Sequence, residues 1–275
     1  GKQEKDLWPI LRIVRGCSNV LWEREQEVQR NKEELTELEN AVIGAHFVNM
    51  ISGIGRLCYR SNRGMMPVCP YFLEDDIPDE KQATGGSGKS IIVKLVVGSA
   101  VNVLNVDMKR FVTVTDAKFE LGKLSSEPYK YRVLHWEDKP KAFPMKYFYN
   151  MVTSGLTVER KMVDPVTFSA DDAPKSVITC NYPLSDDDDS TVGRFPLVSF
   201  SNRFARANPQ KHKAARLMSA LMKNFSDKPE EIDDTDRNQA IYLCALAVQF
   251  LMRYHTFAIA PQCNVRRRQM VQKLT

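Results

Sequence analysis

The segment Ala83-Thr84-Gly85-Gly86-Ser87-Gly88-Lys89-Ser90 has the composition of a loop that holds phosphate. Its glycines let the backbone turn tightly and aim successive N–H groups at anionic oxygens. Ile91, Ile92, Leu95, Val96 and Val97 follow at once. A helix would start there and turn its N-terminal end toward the same oxygens. The Lys89 ammonium would neutralise the β and γ oxygens of ATP, and the Ser90 hydroxyl would ligate Mg²⁺. Ala83 stands where the usual pattern has glycine. A flexible Gly-Ser linker is the alternative reading, but such a linker does not normally run into Gly-Lys-Ser and an apolar helix.

Hydrolysis needs one carboxylate to hold Mg²⁺ through its water shell and another to orient or deprotonate the attacking water. Glu137 and Asp138 follow the apolar strand candidate Tyr131 to Trp136, one strand candidate beyond the loop. Either acid could take either duty, and an ordinary surface pair at a strand end is the bland alternative. Asn181 closes the strand candidate Lys175 to Cys180. A polar group there could sense the γ-phosphate, or it could simply start the turn before Tyr182-Pro183. Ser154 to Lys161 has a glycine turn, alternating residues and the adjacent cations Arg160 and Lys161. It reads as a hairpin, either solvated or carrying positive charge to the phosphate backbone of a single strand.

These groups need a scaffold. The chain has 275 residues, 43% of them hydrophobic, and a net charge of +5, compatible with a polyanionic partner without demanding one. Six cysteines form no CxxC pair, and the four histidines lack ligand spacing. A zinc site or a disulfide framework is therefore not expected, and the thiols are read as reduced and intracellular. No uninterrupted apolar run suggests a membrane span, and the start is too polar for a signal peptide. Gly1 in place of Met suggests an excised piece of a longer chain or the scar of a tag.

From Val20 to about Arg60 there is no proline, and the segment reads as helical, either a cap or an oligomer-forming collar. Pro70 to Leu73 is a short strand candidate, Lys89 to about Leu104 a helix, and Phe111 to Thr115 a strand. Helical patterns return from Lys211 and again over Asn238 to Tyr254. Alternating strands and helices predict an α/β core with a largely parallel sheet. The expected division is an N-terminal helical segment, 1–62, a P-loop ATPase core, 63–207, and a C-terminal helical segment, 208–275.

The order of these blocks resembles the superfamily-3 helicases, a branch of the AAA+ ATPases found in small DNA viruses, phages and mobile elements. Gly85 to Ser90, Val133 to Asp138, Ser154 to Lys161 and Val177 to Pro183 carry the likeness. Gly193-Arg194-Phe195-Pro196-Leu197-Val198-Ser199-Phe200 adds a segment similar to that family's R-F-x-x-I-x-F. The resemblance implies an AAA+-like core and a ring, usually a hexamer, with ATP at each subunit interface. It further implies that Arg194 reaches ATP on the neighbouring subunit as an arginine finger, with Arg203 a second candidate. Arg160 and Lys161 would contact single-stranded DNA in the central channel, although RNA could satisfy the same contacts. The implied function is an ATP-dependent DNA helicase in the replication of a phage, virus or mobile element, cytoplasmic in a bacterium or in the host cell of a virus. The rivals are another P-loop ATPase (an origin-melting initiator, a loader or a packaging motor) and a non-enzymatic oligomeric module that binds nucleic acid.

Overall fold

A computed structural model describes residues 8–61, 67–75, 86–111, 117, 120–127, 129–160, 163–182, 184, 188–207 and 232–260. Helix α1, Pro9–Ser18, starts with proline in its first turn and buries Ile10, Ile13, Val14 and Cys17 at helical spacing. The proline-free stretch beyond it is broken in two. Helix α2, Trp22–Asn31, stops where Lys32 turns left-handed at φ 58°. Helix α3, Glu37–Cys58, begins with a capping box in which Thr36 and Glu39 satisfy each other's backbone N–H groups.

The sheet strands are β1, Tyr71–Glu74; β2, Val103–Asp107; β3, Val133–Glu137; β6, Lys175–Thr179; and β7, Leu197–Phe200. They lie in the order β2-β3-β6-β1-β7, and every pairing is parallel. A parallel sheet must be covered on both faces. Phe72, Val133, Val177, Val198 and Phe200 face a core built with α1, α3 and the helix after the glycine-rich loop. Tyr71, Leu134, Trp136, Ile178 and Leu197 face the other core. That second core includes Phe148 of α6, Lys146–Thr153, and Phe195. It also takes Leu156 and Phe168 from an antiparallel hairpin of β4, Gly155–Arg160, and β5, Val163–Ser169. The expected α/β core with a parallel sheet and helices at both ends of the chain is thus the observed one.

One expectation is corrected. The helix after the loop, α4, runs from Lys89–Ile91 through a π-helical stretch, Ile92–Val97, to a last turn, Gly98–Ala100. It does not reach Leu104, because Val101 is extended (φ −143°, ψ 152°) and feeds β2 directly. The strand between the loop and the acidic pair is therefore β2. Of the segment expected to supply it, Phe111 follows a 3₁₀ turn, Met108–Arg110, and 112–115 lie outside the described residues. The helical pattern from Lys211 lies largely outside them too.

Helix α3 is 22 residues long, with a mean hydropathy of 1.3 in its most apolar window, enough by length and composition to cross a membrane. No apolar run announces it, because Asn40, His46, Asn49 and Arg56 interrupt the pattern. In this fold it is a core helix. Asn49 donates to the Ala258 carbonyl at 2.8 Å, and the helix packs along the C-terminal helix, Asp234–Tyr254. Among the described residues, short helices Gly122–Ser126 (α5), Asp189–Arg194 (α7) and Arg203–Ala207 (α8) complete the set, which makes Asp234–Tyr254 α9.

The α3–α9 contact depends on a missing side chain. A Cβ on Gly55 would stand 2.4 Å from the Ala247 carbonyl oxygen. Backbone cannot yield as a side chain can, so Gly55→Ala should lower stability by roughly 1–3 kcal/mol. Urea unfolding of the two proteins checks this, and an unchanged midpoint would refute the close packing.

Candidate active site

The carboxyl ends of β1, β3 and β6 converge on the loop that opens α4, the usual ligand crevice of an open parallel sheet. Gly86 and Gly88 adopt φ 92° and 94°, a region that side chains rarely tolerate. A Cβ on Gly88 would also come within 2.6 Å of Cys17 Sγ, so α1 closes the loop from behind. Ala83, Thr84 and Gly85 lie outside the described residues.

Lys89 is 7% exposed, and its ammonium is fully engaged. Nζ donates to Glu74 Oε1 at 2.9 Å, Asn181 Oδ1 at 2.9 Å and Ser87 Oγ at 3.2 Å. Asn181 therefore stands beside Lys89, as its position after β6 requires. Glu74, at 4% exposure, is a site residue that the sequence pattern alone did not single out. The available signal was an acid ending an apolar strand next to a phosphate loop. Only the register of β1, however, turns that side chain toward Lys89.

Ser90 donates to Glu137 Oε1 at 2.7 Å. Lys94, one helical turn beyond Ser90, donates to both oxygens of the same carboxylate at 2.9 Å. Burial works against charge on Glu137, but the Lys94 and Ser90 hydrogen bonds more than offset it and hold the carboxyl below its usual range. The spacing of Ser90 and Lys94 on one helix made Lys94 legible in principle. Asp138 turns away. Its backbone is left-handed at φ 54°, and its carboxylate pairs with Lys109 at 2.7 Å, which raises the Lys109 pKa. The two acids are thus separated in direction, and Glu137 alone meets the loop.

A polar line crosses the sheet beneath Glu137, from exposed Asn105 to buried His135 and Thr179. His135, fully buried, contacts Asn105 Oδ1 through Nδ1 at 2.8 Å and Thr179 Oγ1 through Nε2 at 3.0 Å. An amide oxygen only accepts, so Nδ1 carries the proton and Nε2 accepts from the threonine hydroxyl. Burial lowers the His135 pKa to about 4, and the ring is neutral at pH 7.

The remaining predicted residues lie elsewhere. Arg194 ends α7, just before β7, and its carbonyl accepts from Cys69 N ahead of β1. It therefore stands at the end of the sheet opposite Lys89. Its guanidinium lies 5.1 Å from the Tyr149 ring centroid and bonds the Ser190 carbonyl and hydroxyl. Arg203 lies past the other end of β7, its N–H held by Ser201 Oγ, and its charge is felt by Cys17. Ser154 to Arg160 leads into and forms β4, whose Arg160 pairs with Val163 of β5. Lys161 lies outside the described residues, as does the Arg160 side chain.

Among the described residues there is no group of three or more His, Cys, Asp or Glu placed to hold a metal ion. The oxygen pair Ser90–Glu137 nevertheless suits Mg²⁺, which is commonly held by one or two carboxylates together with substrate phosphates.

No protein-family model and no curated protein sequence matches the chain. Among solved structures, the chain is similar to the apo A form of the NrS-1 C-terminal region, with TM-score 0.50 and 14% identity over 88% of this chain. The match spans 52% of that protein, so this chain corresponds to about half of it. At that identity the likeness is one of fold. A JCV helicase structure aligns over 96% of this chain and 69% of its own, at 15% identity and TM-score 0.35.

The neutral His135 predicts a pH dependence. Its folded pKa lies below the unfolded 6.5, so the unfolded chain binds the extra proton first. The stability tied to it is complete above about pH 6.5 and is lost as pH falls toward 4, by up to about 3 kcal/mol. His135→Gln should flatten that part of the curve. Parallel slopes for both proteins between pH 7 and 4.5 in urea unfolding would contradict the assignment.

Proposed function

We propose that the chain is an ATP-hydrolysing DNA helicase of superfamily-3 type, working as a ring oligomer, a hexamer, on single-stranded or forked DNA. The observation that carries this reading is the meeting of Lys89, Ser90, Glu137 and Asn181 at the carboxyl ends of a parallel sheet. Lys89 binds the β and γ oxygens and Asn181 reports on the γ-phosphate. Ser90 and Glu137 would hold Mg²⁺, which when bound neutralises charge on the transferring phosphoryl group. Asp138, directed away from Ser90 toward Lys109, is left the role of orienting water.

The position of Arg194 supports the ring. Within its own chain it is at the wrong end of the sheet for Lys89. It can stabilise a phosphoryl group only on a neighbouring subunit, as an arginine finger does. The hairpin carrying Arg160 and Lys161 would contact the strand in the channel. The segments 1–62, 63–207 and 208–275 are the collar, the motor and the closing helices of this reading. Replication of a phage, virus or mobile element, in the cytoplasm of a bacterium or host cell, is the setting we infer.

The Glu74–Lys89 pair adds a specific expectation. Without nucleotide, the carboxylate occupies the ammonium that phosphate must recruit. Glu74→Gln should lower the stability of the unliganded protein by roughly 3 kcal/mol, because a buried charge loses its counterion. The same change should tighten ATP binding, since phosphate no longer displaces a carboxylate. Calorimetric titration and thermal melts of the variant measure both, and weaker ATP binding by a folded variant would reject the competition.

For the activity itself, phosphate release with and without single-stranded DNA is the direct test. Lys89→Ala and Glu137→Gln should each reduce turnover by at least about a hundredfold. Undiminished turnover in Lys89→Ala would remove the catalytic reading altogether. Unwinding of a forked duplex separates a helicase from the initiator, loader and packaging alternatives.

A further inference from the structure

At the opposite end of the sheet from Lys89 lies a cavity of about 580 Å³. It is framed by the last residues of α3, the turn from α4 into β2, and the entries to β3 and β6. The volume lies in the range of small-ligand sites.

Its charge is unbalanced. Arg60, Lys130, Arg132 and Lys175 line it, against the two carboxylates of Asp171 and Asp172. One of those, Asp172, already accepts from Ser169 Oγ at 2.8 Å, and Lys130 is drawn to Glu127 at 2.6 Å. Lys175, the first residue of β6, is only 7% exposed, and its N–H bonds the Arg132 carbonyl at 2.9 Å. Buried Arg56 adds its charge from α3. Burial first, and then the Arg56 and Arg132 charges, push the Lys175 pKa down to about 7, with Asp171 opposing. The carbonyl ends of α3 and α4 offset part of this positive charge, each by about half a unit. Arg60 and Arg132 both line the cavity, and no ion pair of either is among those of the described residues.

An aromatic ring completes the wall. Tyr129 adopts φ 70°, which is rare for a bulky residue, and is 57% exposed while its ring edge rests on Phe168 at 5.6 Å. A strained, exposed tyrosine beside gathered cations is the arrangement that stacks a base while the cations take its phosphate. We propose that this cavity is a second phosphate-ester site, which takes one nucleoside monophosphate unit with its phosphate on Arg132 and Lys175 and its base against Tyr129. The unit is either a free mononucleotide or the phosphorylated end of a strand. The site is separate from the phosphate loop, and nothing in it depends on whether the loop hydrolyses ATP.

Isothermal titration at low ionic strength tests this, with thymidine, thymidine 5′-monophosphate and 5′-phosphorylated trithymidylate as probes. The monophosphate should saturate one site on the wild-type chain and on Lys89→Ala alike, and thymidine should bind at least about tenfold more weakly. Arg132→Gln and Lys175→Met should each weaken the monophosphate by about tenfold or more. Tyr129→Ala should weaken it while leaving inorganic phosphate binding unchanged. Tighter binding of the trinucleotide than of the monophosphate identifies a strand end as the ligand, and equal binding identifies the free nucleotide. Absence of saturable binding to wild type overturns the proposal. So does unchanged binding to Arg132→Gln, a half-exposed position whose replacement leaves the core intact even if Lys175→Met fails to fold. Loss of binding in Lys89→Ala would also overturn it, by assigning the ligand to the loop.

Discussion

An ammonium group at 7% exposure needs compensation at every moment, and in this chain Lys89 obtains it from Glu74, Asn181 and Ser87. A buried cation without partners costs several kcal/mol, more than a fold of marginal stability can spare. The requirement constrains the centre of the molecule. Strand β1 must end with Glu74 facing the loop, β6 must deliver Asn181 beside it, and α4 must start where Lys89 can reach both. The parallel sheet answers this by its register, since Phe72 pairs with Thr179 and so sets Glu74 level with Asn181.

A second requirement acts on the neighbouring strands. Glu137 can stay charged while partly buried only because Ser90 and Lys94 meet it from one face of α4. The helix departs from α-geometry within that region, as a π-helical stretch over Ile92–Val97. Helices with such irregularity are frequent at functional sites, where side chains must be aimed rather than merely packed. Beneath the carboxylate, the Asn105–His135–Thr179 line ties β2, β3 and β6 together with neutral hydrogen bonds. Buried polar groups so satisfied fix strand register more sharply than apolar contacts do, since a shift would orphan His135 and Thr179. The phosphate loop therefore faces a rigid floor.

The two ends of the sheet differ in character. At the carboxyl ends, backbone N–H groups, a lysine and a carboxylate are arranged in pairs. At the amino ends, Arg56, Arg132 and Lys175 crowd together, and burial first and then the two arginine charges lower the Lys175 pKa. Arg194 also belongs to that end, beyond β7 and far from the loop of its own chain. Arg132, Lys175 and Arg194 thus stand where β3, β6 and β7 enter the sheet, while the nucleotide chemistry we infer is confined to where β1, β3 and β6 leave it.

The glycine-rich loop, the apolar start of α4, the strands at Tyr71, Val133 and Val177, and the long C-terminal helix were legible in the sequence. Each is a local pattern of propensity and spacing. The sequence also set the types of group at the site: one lysine, one hydroxyl, two acids and an amide. It misread the end of α4, because Val103 and Leu104 continue an apolar run that suits either a helix or a buried strand. Only the tertiary structure decided which acid meets Ser90, since Glu137 and Asp138 are adjacent in sequence but point apart once Asp138 turns left-handed. Pairing of strands distant in sequence likewise decided that Glu74 holds Lys89, that His135 is neutral, and that Arg194 lies at the far end. Those outcomes depend on register and burial, which local residue patterns do not encode.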